Sequence, residues 1–215
     1  MTISPLSGSR RESRRADETA RRRADALAGA SAVFAAKGYH AAQMTEIAAS
    51  AELSRASLYA MFKSKDELFQ EVVYTTAAAI RDTVQSRVEA LDDPGEQLLC
   101  VIDSLVSCCQ ENQDLFRIYA FGIPGPPSSI RDALGESSLQ VFVAFMDWVV
   151  GISKRAKHAG YLQDLDPETV GVSLVGSVTT MAMRWIDVTP ERPLAGVATP
   201  IRAIFERLLE RHATA

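Results

Sequence analysis

The chain has 215 residues, 47% of them hydrophobic and 23% charged, which supplies a packed core and excludes disorder as the main state. Three cysteines are too few for a disulfide framework, and no run reaches the roughly 20 apolar residues of a membrane span. The net charge of −4 is unevenly spread: residues 1–65 carry 11 basic and 6 acidic side chains, residues 66–215 carry 12 and 21, so a polyanion partner is expected for the N-terminal part alone.

Alternating β-branched runs with hairpin turns are missing, whereas helical spacing recurs throughout, so the expected fold class is all-α. Residues 1–14 read as a flexible basic arm bearing Arg10, Arg11 and Arg14, with Arg15 beside it. No apolar segment follows these arginines, which speaks against a secretory or twin-arginine signal and for a cytoplasmic protein. A first helix follows, with Asp17 and Glu18 near its positive end and a buried stripe of Leu27, Ala30, Val33 and Phe34. Lys37-Gly38 is a stop signal. A short helix carries Met44, Ile47 and Ala48, and a turn at Glu52-Leu53-Ser54 leads to another with Leu58 and Phe62.

Ser64-Lys65-Asp66-Glu67 reads as a capping box that opens a long helix with Phe69, Val73, Ala77, Ile80, Val84, Val88 and Leu91 along one side. Asp93-Pro94-Gly95-Glu96 starts the next helix, which buries Leu98, Val101, Ile102, Leu105 and Cys109. Residues 122–129, with three prolines and two glycines, form the clearest loop. A long helix is expected over 131–158 with a stop at Gly160. Another starts at Asp166-Pro167-Glu168 and ends near Asp187. Pro190 and Pro193 mark a linker, and the last helix spans 201–211.

The stretch 27–68 is the specific part. Two short helices joined by a tight turn and supported by a third describe a helix-turn-helix. Small residues stand where the helices must cross (Ala48, Ala49, Ala51), Leu53 plugs the turn, and Ser54 caps the second helix. Phe34, Gly38-Tyr39, Glu46-Ile47-Ala48, Ala51, Leu53-Ser54, Ser57-Leu58-Tyr59, Phe62 and Ser64-Lys65-Asp66-Glu67-Leu68 together resemble the DNA-binding domain of the tetracycline-repressor (TetR) family of transcriptional regulators. Ala42-Gln43 stand where that family commonly has Thr-Thr, Glu52 where the turn commonly has Gly, Ala56 for a common Gly, and Ala60-Met61 for a common polar-aromatic pair.

A helix-turn-helix places its second helix in the major groove. Arg55 is then the candidate for bidentate contact with guanine, Ala56 and Ser57 allow close approach, and Thr45 and Ser54 sit at helix starts beside the backbone. The resemblance assigns Tyr59 and Lys65 to phosphates. For Tyr59 the alternative is packing between helices, for Lys65 a helix cap, and for the arm a solvated tail.

The resemblance also divides the chain into the arm, the DNA-binding domain over 15–65, and a ligand-binding and dimerisation domain over 66–215. It implies a homodimer on a palindromic operator, held through the helices 168–187 and 200–211. Gly171, Ser173, Gly176 and Ser177 would allow close approach there, and Val172, Val175, Leu208 and Leu209 would supply apolar contact. Leu105, Phe116, Tyr119, Phe142, Phe145, Met146, Trp148, Met181 and Trp185 are the candidate lining of a pocket for a small apolar or aromatic effector, ordinary core being the bland alternative. Asp103, Asp147 and Arg184 are the polar candidates nearby. Cys108-Cys109 read as structural.

His40, His158 and His212 show no metal spacing, and no nucleophile elbow or phosphate loop is present. No cofactor, metal or catalytic residue is expected. The expected function is a ligand-released transcriptional repressor. The alternative is a helical DNA-associated structural factor without a ligand, and a cavity in the helical body separates the two.

Overall fold

The computed structural model describes residues 6–111, 113, 130–188 and 194–210. Among them are eight helices and no strand: α1 (Leu6–Ala41), α2 (Met44–Ser50), α3 (Arg55–Met61), α4 (Lys65–Val88), α5 (Pro94–Glu111), α6 (Ile130–His158), α7 (Pro167–Val188) and α8 (Ala195–Leu208). The proline-rich loop 122–129, Pro190, Pro193, Phe116, Tyr119 and His212 lie outside the described residues. The chain divides into two compact units that meet between Val72 and Val73, inside α4.

In the first unit α1 packs on α2 and α2 on α3. The buried stripe of α1 is Ala26, Ala30 and Phe34, with Leu27 and Val33 only half-buried. Small residues decide this: a Cβ added at Gly29 would lie 2.8 Å from both the backbone nitrogen and the Cβ of Ala51, so α1 meets the end of α2 backbone to backbone. Ala48 and Ala51 are buried at this crossing, whereas Ala49 faces outward. Phe34 stacks edge-on against Phe69 at 5.3 Å, and Phe69 against Tyr39 at 4.9 Å. Leu68, Phe69 and Val72 are buried, which carries the first unit seven residues past the expected limit at Lys65.

The basic arm is also different from expectation, because α1 is helical from Leu6. After Pro5 the stretch holds no further proline, and Leu6, the arginines and Glu12 are good helix formers that outweigh Gly8. Glu18 and Arg22 add an i,i+4 pair at 2.7 Å. Regular geometry breaks at Gly38 (φ 75°, ψ 167°), where the stop signal stands.

In the second unit α5 packs on α6, α7 and α8, and α6 on α7. Caps set the ends as the sequence indicates. Asp93 accepts from the Glu96 N–H at 3.0 Å and from the Tyr161 hydroxyl at 2.9 Å. Asp166 accepts from the Thr169 N–H at 2.8 Å, which holds its carboxyl below the usual range. Gly160 (φ 88°) ends α6, and the Tyr161 N–H returns to the Ala156 carbonyl at 3.0 Å, the wrap-around bond of a glycine-terminated helix. Cys108 and Cys109 are buried, and burial pushes the Cys109 thiol up to about 12, as suits a structural role.

Two helices depart from expectation. α6 carries a break at Gly135 (φ 70°, ψ 165°). α8 starts at Ala195 and contains Pro200 instead of starting after it. In the second turn the proline ring removes a single backbone bond. Burial of Leu194, Ile201, Phe205 and Leu209 along one face outweighs that loss.

Candidate nucleic-acid interface and apolar cleft

The short helix α3 is fixed at both ends and along its inner side. The Ser54 hydroxyl accepts from the Ser57 N–H at 3.0 Å and lies 2.8 Å from the Ser57 hydroxyl. Leu58 and Phe62 are fully buried. Arg55, Ala56, Tyr59 and Ala60 are left on the exposed side, with Ser57 half-buried at its edge. The Arg55 guanidinium lies over the Tyr59 ring, 5.5 Å from its centroid. Tyr59 is 41% exposed, so it is not wedged between helices.

Thr45 is exposed at the second position of α2, beside Gln43 at the N-cap. The hydroxyl cap that Thr-Thr would offer is replaced from inside the helix. Glu46 accepts from the Gln43 N–H at 3.3 Å and pairs with Lys37 at 2.6 Å, and Lys37 holds its carboxyl below the usual range. In the turn, Glu52 takes φ 55°, the left-handed conformation that favours glycine. The Leu53 N–H bonds the Ala48 carbonyl at 2.9 Å, which keeps the turn tight despite the side chain.

Lys65 is placed differently from its expected phosphate role. Its Nζ donates to the carbonyls of Tyr39 (2.7 Å), Ala42 (3.1 Å) and His40 (3.3 Å) and sits 4.5 Å from the Tyr39 ring centroid. The end of α1 leaves carbonyls without helical partners, and the ammonium's three donors satisfy them. Tyr39 donates its hydroxyl to Asp66. Burial, then the Asp66 carboxylate, raise that phenol to about 12.

Ser64 caps α4 through the Glu67 N–H at 3.1 Å, and Glu67 reaches back to the Lys63 N–H at 2.7 Å, one residue earlier than a regular capping box. A brace that sequence reasoning missed lies nearby. Arg23 donates through Nε to Glu71 at 2.7 Å, forks onto the same carboxylate with Nη2, reaches the Met61 carbonyl at 3.4 Å and covers the Phe62 ring at 4.5 Å. It ties the end of α3 to α1 and α4. The partners stand 38 to 48 residues from Arg23, so no local spacing betrays the brace.

The second unit holds an apolar cleft of about 570 Å³, its open mouth included. Ala77, Ile80 and Arg81 line it from α4, Leu105 from α5, Val141, Phe142 and Phe145 from α6, and Val175 and Thr179 from α7. Of the expected lining, Leu105, Phe142 and Phe145 are there. Met146, Trp148, Met181 and Trp185 are not among the lining residues. Trp185 is buried in the core, Met181 is exposed, and Trp148 stands behind Phe145 with ring centroids 5.7 Å apart. Phe116 and Tyr119 fall outside the described residues.

Asp147 and Arg184 are exposed, and Asp103 pairs with Arg202, so none of the expected polar candidates reaches the cleft. Arg81 does. Its register shows this in hindsight: it lies four residues after Ala77 and three before Val84, on the buried side of α4.

The expected interface residues also separate. Gly171 is internal, since a Cβ there would lie 3.1 Å from Val150 Cγ2, and Val175 and Leu209 are buried. Val172, Ser173 and Gly176 are exposed on one side of α7, with Ile204 exposed on α8.

The sequence profile of bacterial regulatory proteins of the tetR family matches residues 26–72, from the buried start of the α1 stripe to the last residue of the first unit. Residues 26–72 are thus similar to the DNA-binding domain of the tetR family. The chain is 31% identical over 114 residues to the HTH-type transcriptional activator FasR of Mycolicibacterium smegmatis, a match that covers 53% of this chain and about half (51%) of FasR. It is 23% identical over 156 residues to the HTH-type transcriptional regulator YdgC of Bacillus subtilis, covering 71% and 74%. Among solved structures, the fold is shared with FadR of Bacillus subtilis in complex with stearoyl-CoA (TM-score 0.74, 16% identity, 86% of this chain and 98% of that one). It is also shared with AibR in complex with isovaleryl coenzyme A and operator DNA (TM-score 0.67, 18% identity, 85% and 97%). No helix among the described residues is long and apolar enough to cross a membrane.

Proposed function

We propose that this chain is a TetR-family regulator, a ligand-responsive repressor that binds a palindromic operator as a homodimer and is released by a small effector with an apolar body. The observation that carries the DNA reading is α3: a helix pinned by Ser54, Leu58 and Phe62 that turns Arg55, Ala56, Ser57 and Tyr59 outward. Arg55 reads a base edge, Ala56 and Ser57 permit close approach, and Thr45, Ser54 and Tyr59 hold phosphates. Lys65 supports this surface from behind instead of touching DNA. The exposed Arg14 and Arg15 of α1 lie along the backbone.

A single head of this size makes few contacts, and two heads on a symmetric site solve that. The exposed row Val172, Ser173, Gly176 and Ile204 supports α7 and α8 as the pairing surface. The apolar cleft favours a regulator over a structural factor, which has no use for one. FadR and AibR, described with acyl-CoA ligands, support an acyl compound as the effector. Three lining residues belong to α4, the helix that begins at Lys65. A ligand that fits only one setting of that helix lowers DNA affinity by its differential binding.

The test is footprinting of the DNA upstream of the gene with the parent and Arg55→Ala, at two salt concentrations. Protection of a symmetric site that Arg55→Ala loses is expected, with a reporter showing repression. Equal protection by Arg55→Ala would refute the base-reading assignment.

A further inference from the structure

Among the described residues the cleft presents one charged side chain to an otherwise apolar wall, Arg81. The hydroxyl of Thr179 adds no free donor, because it bonds the Val175 carbonyl of its own helix at 2.9 Å. The Arg81 side chain is 29% exposed, so its guanidinium is partly withdrawn from water. Its acceptor is Asp82, at 2.8 Å from Nε and 2.7 Å from Nη2, both to one carboxylate oxygen. Asp82 is the next residue in the chain and 64% exposed. A pair between neighbours with one partner in water is weak and easily exchanged. The planar fork is suited to a bidentate anion, and only one oxygen now serves it.

We propose that Arg81 anchors the anionic head of an amphipathic effector, a carboxylate or phosphate group, whose apolar tail lies against Ile80, Leu105, Phe142 and Phe145, and that Asp82 holds the place of that head in the free protein. The proposal rests on the cleft being the effector site and adds the charge and polarity of the ligand. Neutral polar ligands find no other partner on the described wall. An apolar tail gains by burial, and the anion replaces Asp82 at a partly dry cation.

Binding of decanoate, decanoyl-CoA and 1-decanol to the full chain tests it, followed by calorimetry and by tryptophan fluorescence, since Trp148 stacks behind Phe145. At least one anionic probe should bind on the order of 10- to 100-fold more tightly than 1-decanol. Which one does so separates a carboxylate head from the phosphates of a thioester conjugate. Arg81→Met should reduce that probe to the level of 1-decanol while the parent's circular dichroism melt is kept. Asp82→Asn should tighten it several-fold.

Equal binding of 1-decanol and both anions would overturn the anchor and leave the cleft as a neutral effector site. No binding by any probe would remove both readings. If Arg81→Met does not fold, Asp82→Asn decides, and an unchanged affinity there would overturn the proposal.

Discussion

Replacing Glu52 by Gly should stabilise the first unit although it removes a side chain. The residue stands at φ 55° in the turn between α2 and α3, where the Glu52 N–H bonds the Ala49 carbonyl at 3.1 Å and the next N–H bonds Ala48. A Cβ in the left-handed region costs about 1–2 kcal/mol relative to glycine. Glycine gives back about 0.5–1 kcal/mol through the greater freedom of its unfolded chain. The difference leaves Glu52→Gly more stable by about 0.5–1 kcal/mol, or a few degrees in melting temperature for a chain of this size. Glu52 is exposed and precedes the recognition helix, so its charge also opposes the approach of DNA. Glu52→Gln removes the charge and keeps the Cβ. Urea unfolding followed by circular dichroism should place Glu52→Gly above the parent and Glu52→Gln level with it. Salt-dependent gel shifts should show both variants binding somewhat more tightly than the parent at low salt. Equal stability of Glu52→Gly and Glu52→Gln would refute the backbone argument, and so would a loss of stability on Glu52→Gly.

Gly29→Ala should act in the opposite direction, costing about 1–3 kcal/mol because its Cβ meets backbone at Ala51; a urea midpoint equal to the parent's would contradict the close crossing. Lys65→Met should lower stability by about 2 kcal/mol, since the carbonyls of Tyr39, His40 and Ala42 lose a charged donor. Were Lys65 a phosphate contact only, stability would stay and the salt slope of DNA binding would fall by about one. For pH, Glu46 has its carboxyl lowered below 4.5 in the folded state, first by the bond from Lys37. Its stabilising contribution is therefore complete above pH 4.5 and is lost as the pH falls through the lower folded value. Acid titration of Glu46→Gln should show a shallower loss of stability below that pH than the parent, and coincident curves would count against the Lys37–Glu46 link.

Much of this protein was legible as a sequence because caps and periodicity act over a few residues. Ser54, Ser64, Asp93 and Asp166 start helices where they stand, Gly38 and Gly160 end them, and the apolar faces of α4 and α5 follow from spacing alone. Identity at a motif did not fix a residue's role, however. Lys65 belongs to a recognisable string, yet its ammonium turns inward, because the end of α1, some 25 residues earlier, brings three carbonyls within its reach. Pro200 misled for a related reason: a local rule against proline was outweighed by the apolar face that Leu194, Ile201 and Phe205 bury.

Tertiary structure alone decided which of several equivalent side chains meet. Gly171 and Gly176 look alike in sequence, but α6 packs over the first and leaves the second open. Arg23 finds Glu71 and Phe62 only when α1, α3 and α4 converge. The cleft takes one or more residues from each of four helices, so packing alone decided that Phe142 and Phe145 line it while the equally expected Trp148 and Trp185 do not, and that Arg81 joins them. Hydrogen-bonded caps are short-range and specific in direction, and a sequence records them. Apolar burial is long-range and has no direction, so its partners are chosen only when the helices pack.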